Sequence, residues 1–237
     1  MNDREEYLAY IRGRKSSDKV NYHRLALKEM EQLKAQDRKP TILLHACCVV
    51  CACWPMDFLS DVFDITLIYN NSNIYPSEEY DLRLSELKRY LKERWNDKIK
   101  LVVTPYDNET YNLSLAERKD DPEGWKRCFG CYEKRMDEGF RYADEHSFDY
   151  FTTVMTFSRQ KDSQKLNEIG LKLQNKYGHT KYFCSDFKKD DGQRKSNAIC
   201  DAWNLYRQDY CGCIYSYGEK LKRKQTEVDH GPESEPV

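Results

Sequence analysis

The chain has 237 residues, of which 39% are hydrophobic, and a formal net charge of −1. This length and composition allow a buried core without disulfide staples, and the near-zero charge excludes a global basic field of the kind that marks many nucleic-acid-binding proteins. No apolar run is long enough to span a membrane, and the N-terminal segment MNDREEYLAY has no apolar signal core. We therefore expect a cytoplasmic protein with no membrane partner, in which structural disulfides are rare.

Three regions are predicted along the chain. Residues 1–38 are charged and contain the amphipathic stretch NYHRLALKEMEQLKAQ, which predicts a helical extension packed on the outside of the main domain. Residues 39–217 are predicted to form that domain. Residues 218–237 are polar, end in DHGPESEPV and are expected to be a flexible, disordered tail.

Strands and helices are predicted to alternate in the main domain. The predicted strands are Thr41–Leu44, Asp64–Asn70 and the segments IKLVVTPY and FDYFTTVM. Cys47 is expected to begin a loop, and the predicted helices run from Pro55 to about Val62, from Ser77 through LRLSELKRYLKERW, through most of residues 109–145, and around Ser163–Tyr177 and Arg194–Arg207. This alternation predicts an α/β fold with a mainly parallel, Rossmann-like sheet flanked by helices.

Polar or cysteine-rich segments follow three of the predicted strands. The run HACCVVCAC follows the first strand, a group of asparagines follows the second, and TFSRQKDS follows the fourth. Because ligands bind at the carboxyl ends of the strands in such sheets, we expect these segments to meet in one crevice. No glycine occurs between Gly13 and Gly124, so the turn after the first strand is not a glycine-rich phosphate cradle.

Eight of the ten cysteines fall in three groups. The groups are Cys47, Cys48, Cys51 and Cys53 in HACCVVCAC, Cys128 and Cys131 in a CxxC, and Cys211 and Cys213 in a CxC. Clustered thiols in a cytoplasmic protein indicate a metal site or redox chemistry rather than structural staples. The isolated Cys184 and Cys200 are interpreted as small core residues, and Cys53 as a bystander beside the CCxxC spacing.

The first two groups of cysteines can hold one metal centre. The CxxC opens a helical stretch, where a spacing of three places both sulfurs on one face of the first turn. Two thiolates from each group complete either an iron–sulfur cluster or a Cys₄ zinc site. The immediate pair Cys47–Cys48 is poor spacing for a zinc ribbon, and this favours the iron–sulfur cluster.

The CxC pair and His45 each leave two roles open. A disulfide between Cys211 and Cys213 would close a small, strained and easily reduced ring, as a redox-active pair requires. The same two thiols, together with Cys51, can instead hold a second metal ion. His45 directly precedes the first cysteine pair, where it is either a ligand or proton donor, or a packed histidine beside the site.

Six segments, in family order, resemble the QueH family of epoxyqueuosine reductases. The segments are LLHACCVVC, YNNSNIYPSEEYDLR, RCFGCYEKR, FTTVMTFSRQKDS, FKKDDGQRKS and LYRQDYCGCIYS. They span about residues 40–217, and their combination is far more specific than any single motif. The first segment departs from the family's usual CCAPC by Val49 and Val50 and by the added Cys53, and Arg159 stands where a proline is common.

The resemblance implies that the protein removes the epoxide oxygen of epoxyqueuosine at the wobble position of tRNA, which yields queuosine. The ligands that it implies for a [4Fe–4S] cluster are Cys47, Cys48, Cys128 and Cys131. It also implies a redox-active Cys211–Cys213 pair, because deoxygenation takes two electrons while a cluster moves one at a time. A mononuclear iron held by Cys51 with these two thiols is the alternative source of the second electron. The donor of electrons to the enzyme stays unidentified.

The implied substrate is a modified base in an anticodon loop, which is single-stranded and enters a pocket at little unpairing cost. The residues expected to contact its phosphates are Lys188, Lys189, Arg194, Lys195 and Arg207. The residues expected to line the base pocket are Asn70, Asn73, Tyr80 and Arg83, for which capping and core packing are equally good interpretations.

Two functions from other classes stay open on the sequence alone. A zinc-stabilised RNA-binding protein without catalysis would use a structural Cys₄ site and contain one zinc and no labile sulfide. A thiol–disulfide oxidoreductase acting on proteins through the CxC would need no metal, and it leaves the CC and CxxC groups unexplained. The reductase accounts for all three groups of cysteines.

Overall fold

The computed structural model describes residues 3–14 and 19–229. Its centre is a five-stranded, all-parallel sheet with the strand order β3-β2-β1-β4-β5. The strands are β1 (Thr41–His45), β2 (Asp64–Tyr69), β3 (Lys100–Val103), β4 (Tyr150–Thr153) and β5 (Lys181–Tyr182). The predicted α/β fold is confirmed, and the topological switch point lies between β1 and β4.

Helices surround the sheet throughout the described part of the chain. They are α1 (Asp3–Gly13), α2 (Tyr22–Lys34), α3 (Val49–Ser60), α4 (Ser77–Trp95), α5 (Asn108–Leu113), α6 (Lys126–Glu145), α7 (Ser163–Gln174), α8 (Gly192–Ala202) and α9 (Ile214–Asp229). Two short 3₁₀ helices, Ala116–Arg118 and Val154–Phe157, complete the connections. Among the described residues, no helix combines the length and the apolar character that crossing a bilayer requires.

The core lies on both faces of the sheet, because the side chains of a strand point alternately to opposite sides. Ile42 and Leu44 of β1 join the layer formed with α2, α3, α4 and α8. Leu43 joins the other layer, where Phe140 of α6 and Phe151 of β4 pack together with α7. All five side chains are completely buried, so the sheet is a rigid base for the loops at its edge.

Helix α3 begins earlier than the sequence predicts. It starts at Val49 rather than at Pro55, and Cys48 is its N-cap residue. Pro55 lies inside the helix, where its missing N–H removes one backbone hydrogen bond without ending the helix. Cys51 and Cys53 therefore lie on a helix instead of a loop. Strand β5 was not predicted either, because its two residues are too few to show a periodic pattern.

The two ends of the chain are more helical than the sequence predicts. Residues 1–38 contain α1 in addition to the expected helix α2, and Tyr10 of α1 packs against Phe129 of α6. The tail expected after residue 217 is helical as far as Asp229, since its Lys, Glu and Gln residues are good helix formers. An ion pair of 2.7 Å between Lys220 and Asp209 attaches α9 to the domain. The rest of the predicted tail, residues 230–237, lies outside the described residues.

Candidate functional site

Three cysteines come together where β1 passes into α3. Because β1 ends at His45 and Cys48 caps α3, Cys47 and Cys48 lie at the carboxyl edge of the sheet and Cys51 follows in the first turn of the helix. The three sulfurs all lie within 4.8 Å of one another, and the three residues are buried. We call Cys47, Cys48 and Cys51 the first thiol group. Soft thiolates at this spacing can hold a metal.

The closeness of the three sulfurs changes their acidity. Hydrogen bonds from Cys48 and Cys51 hold the pKa of Cys47 well below its usual value. The hydrogen bond with Cys47 raises the pKa of Cys48 to about 12, and the hydrogen bonds with Cys47 and Cys48 raise that of Cys51 above its usual value. Because a metal binds thiolates, its binding would release the protons of the thiols whose pKa is raised.

Four further cysteines line one small, enclosed cavity and form the second thiol group. They are Cys128, Cys131, Cys211 and Cys213. The CxxC lies in the first two turns of α6, and the backbone N–H of Gly124, just before the helix, donates a hydrogen bond of 3.2 Å to Cys128 Sγ. The Tyr111 hydroxyl donates a bond of 3.2 Å to Cys131 Sγ. Burial raises the pKa of Cys128 to about 12, so this thiol also ionises only with help from a metal or a cation.

Cys211 connects the two thiol groups. Besides the enclosed cavity, it lines an open cavity of about 350 Å³ together with Cys47 and Cys51. The remaining lining residues of the open cavity are Arg83 of α4, Phe157–Lys161 after β4, Gln193 of α8, and Gln208–Tyr210, which directly precede Cys211. The expected meeting of the cysteine run and the TFSRQKDS segment at one edge of the sheet is therefore found.

Arg83 of α4 holds the loop that contains Tyr210, Cys211, Gly212 and Cys213, which we call the CxC loop. The Arg83 guanidinium donates hydrogen bonds of 3.2 Å to the Cys211 carbonyl and 3.4 Å to the Tyr210 carbonyl, and it pairs with Glu79 at 2.7 Å. Gly212 has φ of 121°, a conformation that side chains disfavour, and a Cβ there would lie 3.0 Å from Arg83 Nη1. Cys211 and Cys213 are both free thiols, as are all ten cysteines of the chain.

Two buried cations lie beside the thiol groups. Arg135 is 2% exposed and Lys161 is 8% exposed. Burial by itself lowers the pKa of both side chains, but the charge of nearby thiolates, among them Cys47 and Cys211, raises it above the usual value. The two residues therefore stay positive, and they balance negative charge that collects on the sulfurs.

His45 is a packed histidine behind the site. It is completely buried, with Nδ1 2.7 Å from Thr153 Oγ1 and Nε2 3.1 Å from Arg135 Nη2. Arg135 also donates a bond of 2.6 Å to Asn71 Oδ1, so the imidazole and the amide together orient the guanidinium. Burial and the Arg135 charge lower the pKa of His45 to about 3, which makes it neutral at physiological pH.

The four residues expected to line a base pocket divide into two pairs. Arg83 lines the open cavity and Asn73 lines the enclosed one. Asn70 is buried and donates a bond of 2.9 Å to the Arg135 carbonyl, and Tyr80 is buried against neighbouring aromatic rings. Asn73 Oδ1 is buried without a hydrogen-bond partner beside the second thiol group, which marks it as an acceptor available to a ligand.

The predicted phosphate contacts also divide. Lys188, which pairs with Asp186 at 3.0 Å, and Lys189 line a basic cavity of about 450 Å³. The other charged residues of its lining are Arg14, Lys19, Arg159, Lys161 and Asp162. The remaining three form ion pairs at the surface: Arg194 with Asp191, Lys195 with Asp190 and Arg207 with Asp201. The basic cavity and the open cysteine cavity share Arg159 and Lys161, so a chain of cations leads from one to the other.

Several residues of the site were not predicted from the sequence. Arg135 lies in RCFGCYEKR, four residues after Cys131, and Lys161 lies in TFSRQKDS, which follows a strand. These positions could have identified both residues as members of the site. Gln208, whose amide donates a bond of 2.9 Å to Cys48 Sγ, precedes the CxC by three residues. Tyr111 lies in a region with no motif, and only the folded chain brings it to Cys131.

Comparisons with known proteins find one family over most of the chain. Residues 42–219 match the family model described as Epoxyqueuosine reductase QueH. A protein of that name from Streptococcus pyogenes serotype M1 is 34% identical over 91% of this chain and 84% of its own length. Proteins of the same name from Staphylococcus epidermidis and Thermotoga maritima are 34% and 26% identical, over 87% and 79% of this chain and 88% and 95% of their own lengths.

Proposed function

This chain belongs to the QueH family of epoxyqueuosine reductases, and we propose that it removes the epoxide oxygen from epoxyqueuosine in tRNA to give queuosine. The observation that carries the proposal is the position of Cys211, which lines both the enclosed cavity of the second thiol group and the open cavity beside the first. A substrate in the open cavity therefore lies next to a thiol that is part of a larger sulfur assembly.

The proposed ligands of a [4Fe–4S] cluster are Cys47, Cys48, Cys128 and Cys131. Their chemistry fits, because such clusters are held by cysteine thiolates and the buried cations Arg135 and Lys161 offset the charge of the sulfurs. When bound, the cluster supplies electrons one at a time. The hydrogen bonds from Tyr111 and Gln208 to two of these sulfurs orient and stabilise them.

The proposed reductant in contact with the substrate is the Cys211–Cys213 dithiol. Its oxidation to a disulfide releases two electrons and two protons, and the epoxide takes up both to become an alkene and a molecule of water. The two C–O bonds of the epoxide break and one S–S bond forms, so atoms and electrons balance. The positive φ of Gly212 lets the chain turn between the two cysteines, as the bridge requires.

A mononuclear iron is the alternative partner of the CxC. Cys51 and Cys211 line the same open cavity, which supports a site shared by the two segments. An iron ion there would act as a Lewis acid toward the epoxide oxygen. In that case Cys51, Cys211 and Cys213 are ligands, and the dithiol is not the two-electron store.

The proposed path of the tRNA backbone runs over the basic cavity. Arg159 and Lys161 line it together with Lys188 and Lys189, and they also reach the open cavity. Phosphate contacts of this kind position a nucleic acid without reading its sequence, so the base would enter the open cavity while its phosphates lie on the cations. The test is a salt titration of tRNA binding, in which Lys189→Ala reduces the slope of log affinity against log salt by about 1.

The decisive experiment measures iron, zinc and acid-labile sulfide per chain after anaerobic purification, and then reduction of tRNA that carries epoxyqueuosine. Four irons with four sulfides and product formation support the cluster with the dithiol, and a fifth iron supports the mononuclear site. Cys128→Ala is expected to lose both sulfide and product, while Cys184→Ala, the matched control outside both thiol groups, keeps them. One zinc without sulfide and no product would refute the proposal and favour a zinc-stabilised RNA-binding protein.

A further inference from the structure

A third pair of thiols lies outside both thiol groups. Cys53 of α3 and Cys200 of α8 have their sulfurs 4.0 Å apart, although the two residues are 147 positions apart in the sequence. Both are almost completely buried. Neither lines the open or the enclosed cavity, and the proposed reaction uses neither of them.

The two sulfurs lie at the contact between the two helices. Ser196 of α8 has its hydroxyl 3.3 Å from Cys53 Sγ and 3.9 Å from Cys200 Sγ. The same hydroxyl donates a hydrogen bond of 3.0 Å to the Val50 carbonyl in the first turn of α3. The three side chains therefore hold the sulfurs next to each other without any metal.

Cys200 is the more reactive member of the pair. The hydrogen bond from Cys53, the contact with the Ser196 hydroxyl and the positive charge of Arg207 lower the pKa of Cys200 to about 7. Arg207 itself pairs with Asp201 at the surface, so Cys200 lies directly beneath an exposed cation. A thiolate is the nucleophilic form of cysteine, so Cys200 is the member of the pair that reacts first with an oxidant.

We propose that Cys53 and Cys200 are a redox-active thiol pair, which a peroxide converts into a disulfide that joins α3 to α8. The Cys200 thiolate attacks the peroxide, the O–O bond breaks, and Cys200 becomes a sulfenic acid while hydroxide or an alkoxide leaves. The Cys53 sulfur then attacks the Cys200 sulfur, and the S–O bond breaks. The departing hydroxide leaves as water with the proton of the Cys53 thiol. The two thiols lose two electrons, and the peroxide gains them.

Closing the bridge brings the sulfurs about 2 Å nearer than they are in the reduced protein. The resulting link fixes α3, which also carries Cys48 at its cap and Cys51 in its first turn, against α8. Oxidation at this pair therefore acts on the helix that positions the first thiol group. The proposal does not depend on the proposed function, because its chemistry involves no cluster ligand and no tRNA.

The test is peptide mapping of the full chain, purified anaerobically and treated with graded amounts of hydrogen peroxide. The protein is then unfolded in the presence of excess alkylating agent, so that every free thiol is capped, and is digested with trypsin. Cys200 is the sole cysteine of the tryptic peptide 196–207, and Cys53 lies in the peptide 39–83. We expect these two peptides to become linked, two hydrogen atoms lighter than their sum, and a thiol reductant to separate them.

The peptide 39–83 contains three cysteines besides Cys53, so its mass alone does not show which of the four is bonded to Cys200. Substitutions identify that cysteine. Cys53→Ala and Cys200→Ala, which alter different helices, are each expected to abolish the link. Cys184→Ala is expected to leave it unchanged. The proposal is overturned if peptide 196–207 stays alkylated and unlinked in the peroxide-treated protein, or if the link persists in Cys53→Ala. Both outcomes are read as peptide masses. Loss of the cluster or of enzymatic activity would therefore not be mistaken for either of them.

Discussion

Removing the guanidinium of Arg83 should release the CxC loop. Arg83 is 1% exposed, and it donates the only side-chain hydrogen bonds that reach the Tyr210 and Cys211 carbonyls among the described residues. Hydrogen bonds from a charged donor contribute about 1.5–3 kcal/mol each, and lengths of 3.2 and 3.4 Å place these two at the lower end of that range. Arg83→Met should therefore lower the free energy of loop opening by about 3 kcal/mol.

The assay is the rate at which a bulky maleimide alkylates the CxC under anaerobic conditions. The tryptic peptide 208–220 contains Cys211 and Cys213 and no other cysteine, so its mass reports on this loop alone. Because 1.4 kcal/mol is a factor of ten, we expect alkylation about 100-fold faster in Arg83→Met. Arg83→Lys keeps the positive charge beside Glu79, but a lysine lacks the planar guanidinium that donates to both carbonyls at once. The rate of alkylation in Arg83→Lys should therefore lie between the rates in the wild type and in Arg83→Met.

Arg89→Met is the matched control. Arg89 lies on the same helix and also donates to two backbone carbonyls, those of Trp203 and Asn204, which are outside the CxC loop. Its removal should leave alkylation of the CxC peptide unchanged. Equal rates in Arg83→Met and Arg89→Met would show that Arg83 does not hold the loop, and the reasoning above would then be refuted.

Three further changes have defined outcomes. Gly212→Ala places a Cβ at positive φ and 3.0 Å from Arg83, at a cost of about 1–3 kcal/mol, and the same alkylation assay should show a faster reaction. Asp149→Asn should lower the free energy of unfolding by about 1–3 kcal/mol at neutral pH. The pKa of Asp149 is held below its usual value by Arg38, so this loss should shrink as the pH falls below about 4, because there the carboxyl takes up a proton in the unfolded chain while it is still ionised in the folded one. Tyr111→Phe removes the hydrogen bond to the Cys131 sulfur and should make the reduction potential of a cluster held there more negative, as redox titration will show.

Each of these changes has its own control. Gly178→Ala meets no atom within 4 Å, so alkylation should not respond to it. Asp61→Asn alters an exposed carboxylate and should leave urea unfolding the same at every pH; an Asp149→Asn loss that does not depend on pH would contradict the ionic explanation. Tyr142→Phe alters a ring that stacks on His146, and equal potentials in it and in Tyr111→Phe would show that the sulfur bond does not tune the site.

Much of the fold could be predicted because it depends on short-range patterns. The apolar run before Cys47 and the alternation of strands with helices indicated a parallel sheet, and the strand pairing confirms it. Prediction was wrong where local signals conflict. Pro55 suggested a helix start, but the apolar residues before it pack well enough for α3 to begin at Val49. The helical N-terminal half of the expected tail shows the same effect, since polar composition alone does not distinguish an exposed helix from a flexible segment.

The site itself shows where sequence reasoning ends. The sequence by itself determined the family, the α/β fold and the grouping of the cysteines, because each depends on residue types at fixed spacings within one segment. Only the tertiary structure decided that Cys211 of the second thiol group also lines a cavity with the first, that Arg83 holds it from 128 positions away, and that Cys53 meets Cys200. The reason is that local spacing sets which side chains share one turn of a helix, whereas the distance between segments on different strands depends on the packing of the whole chain.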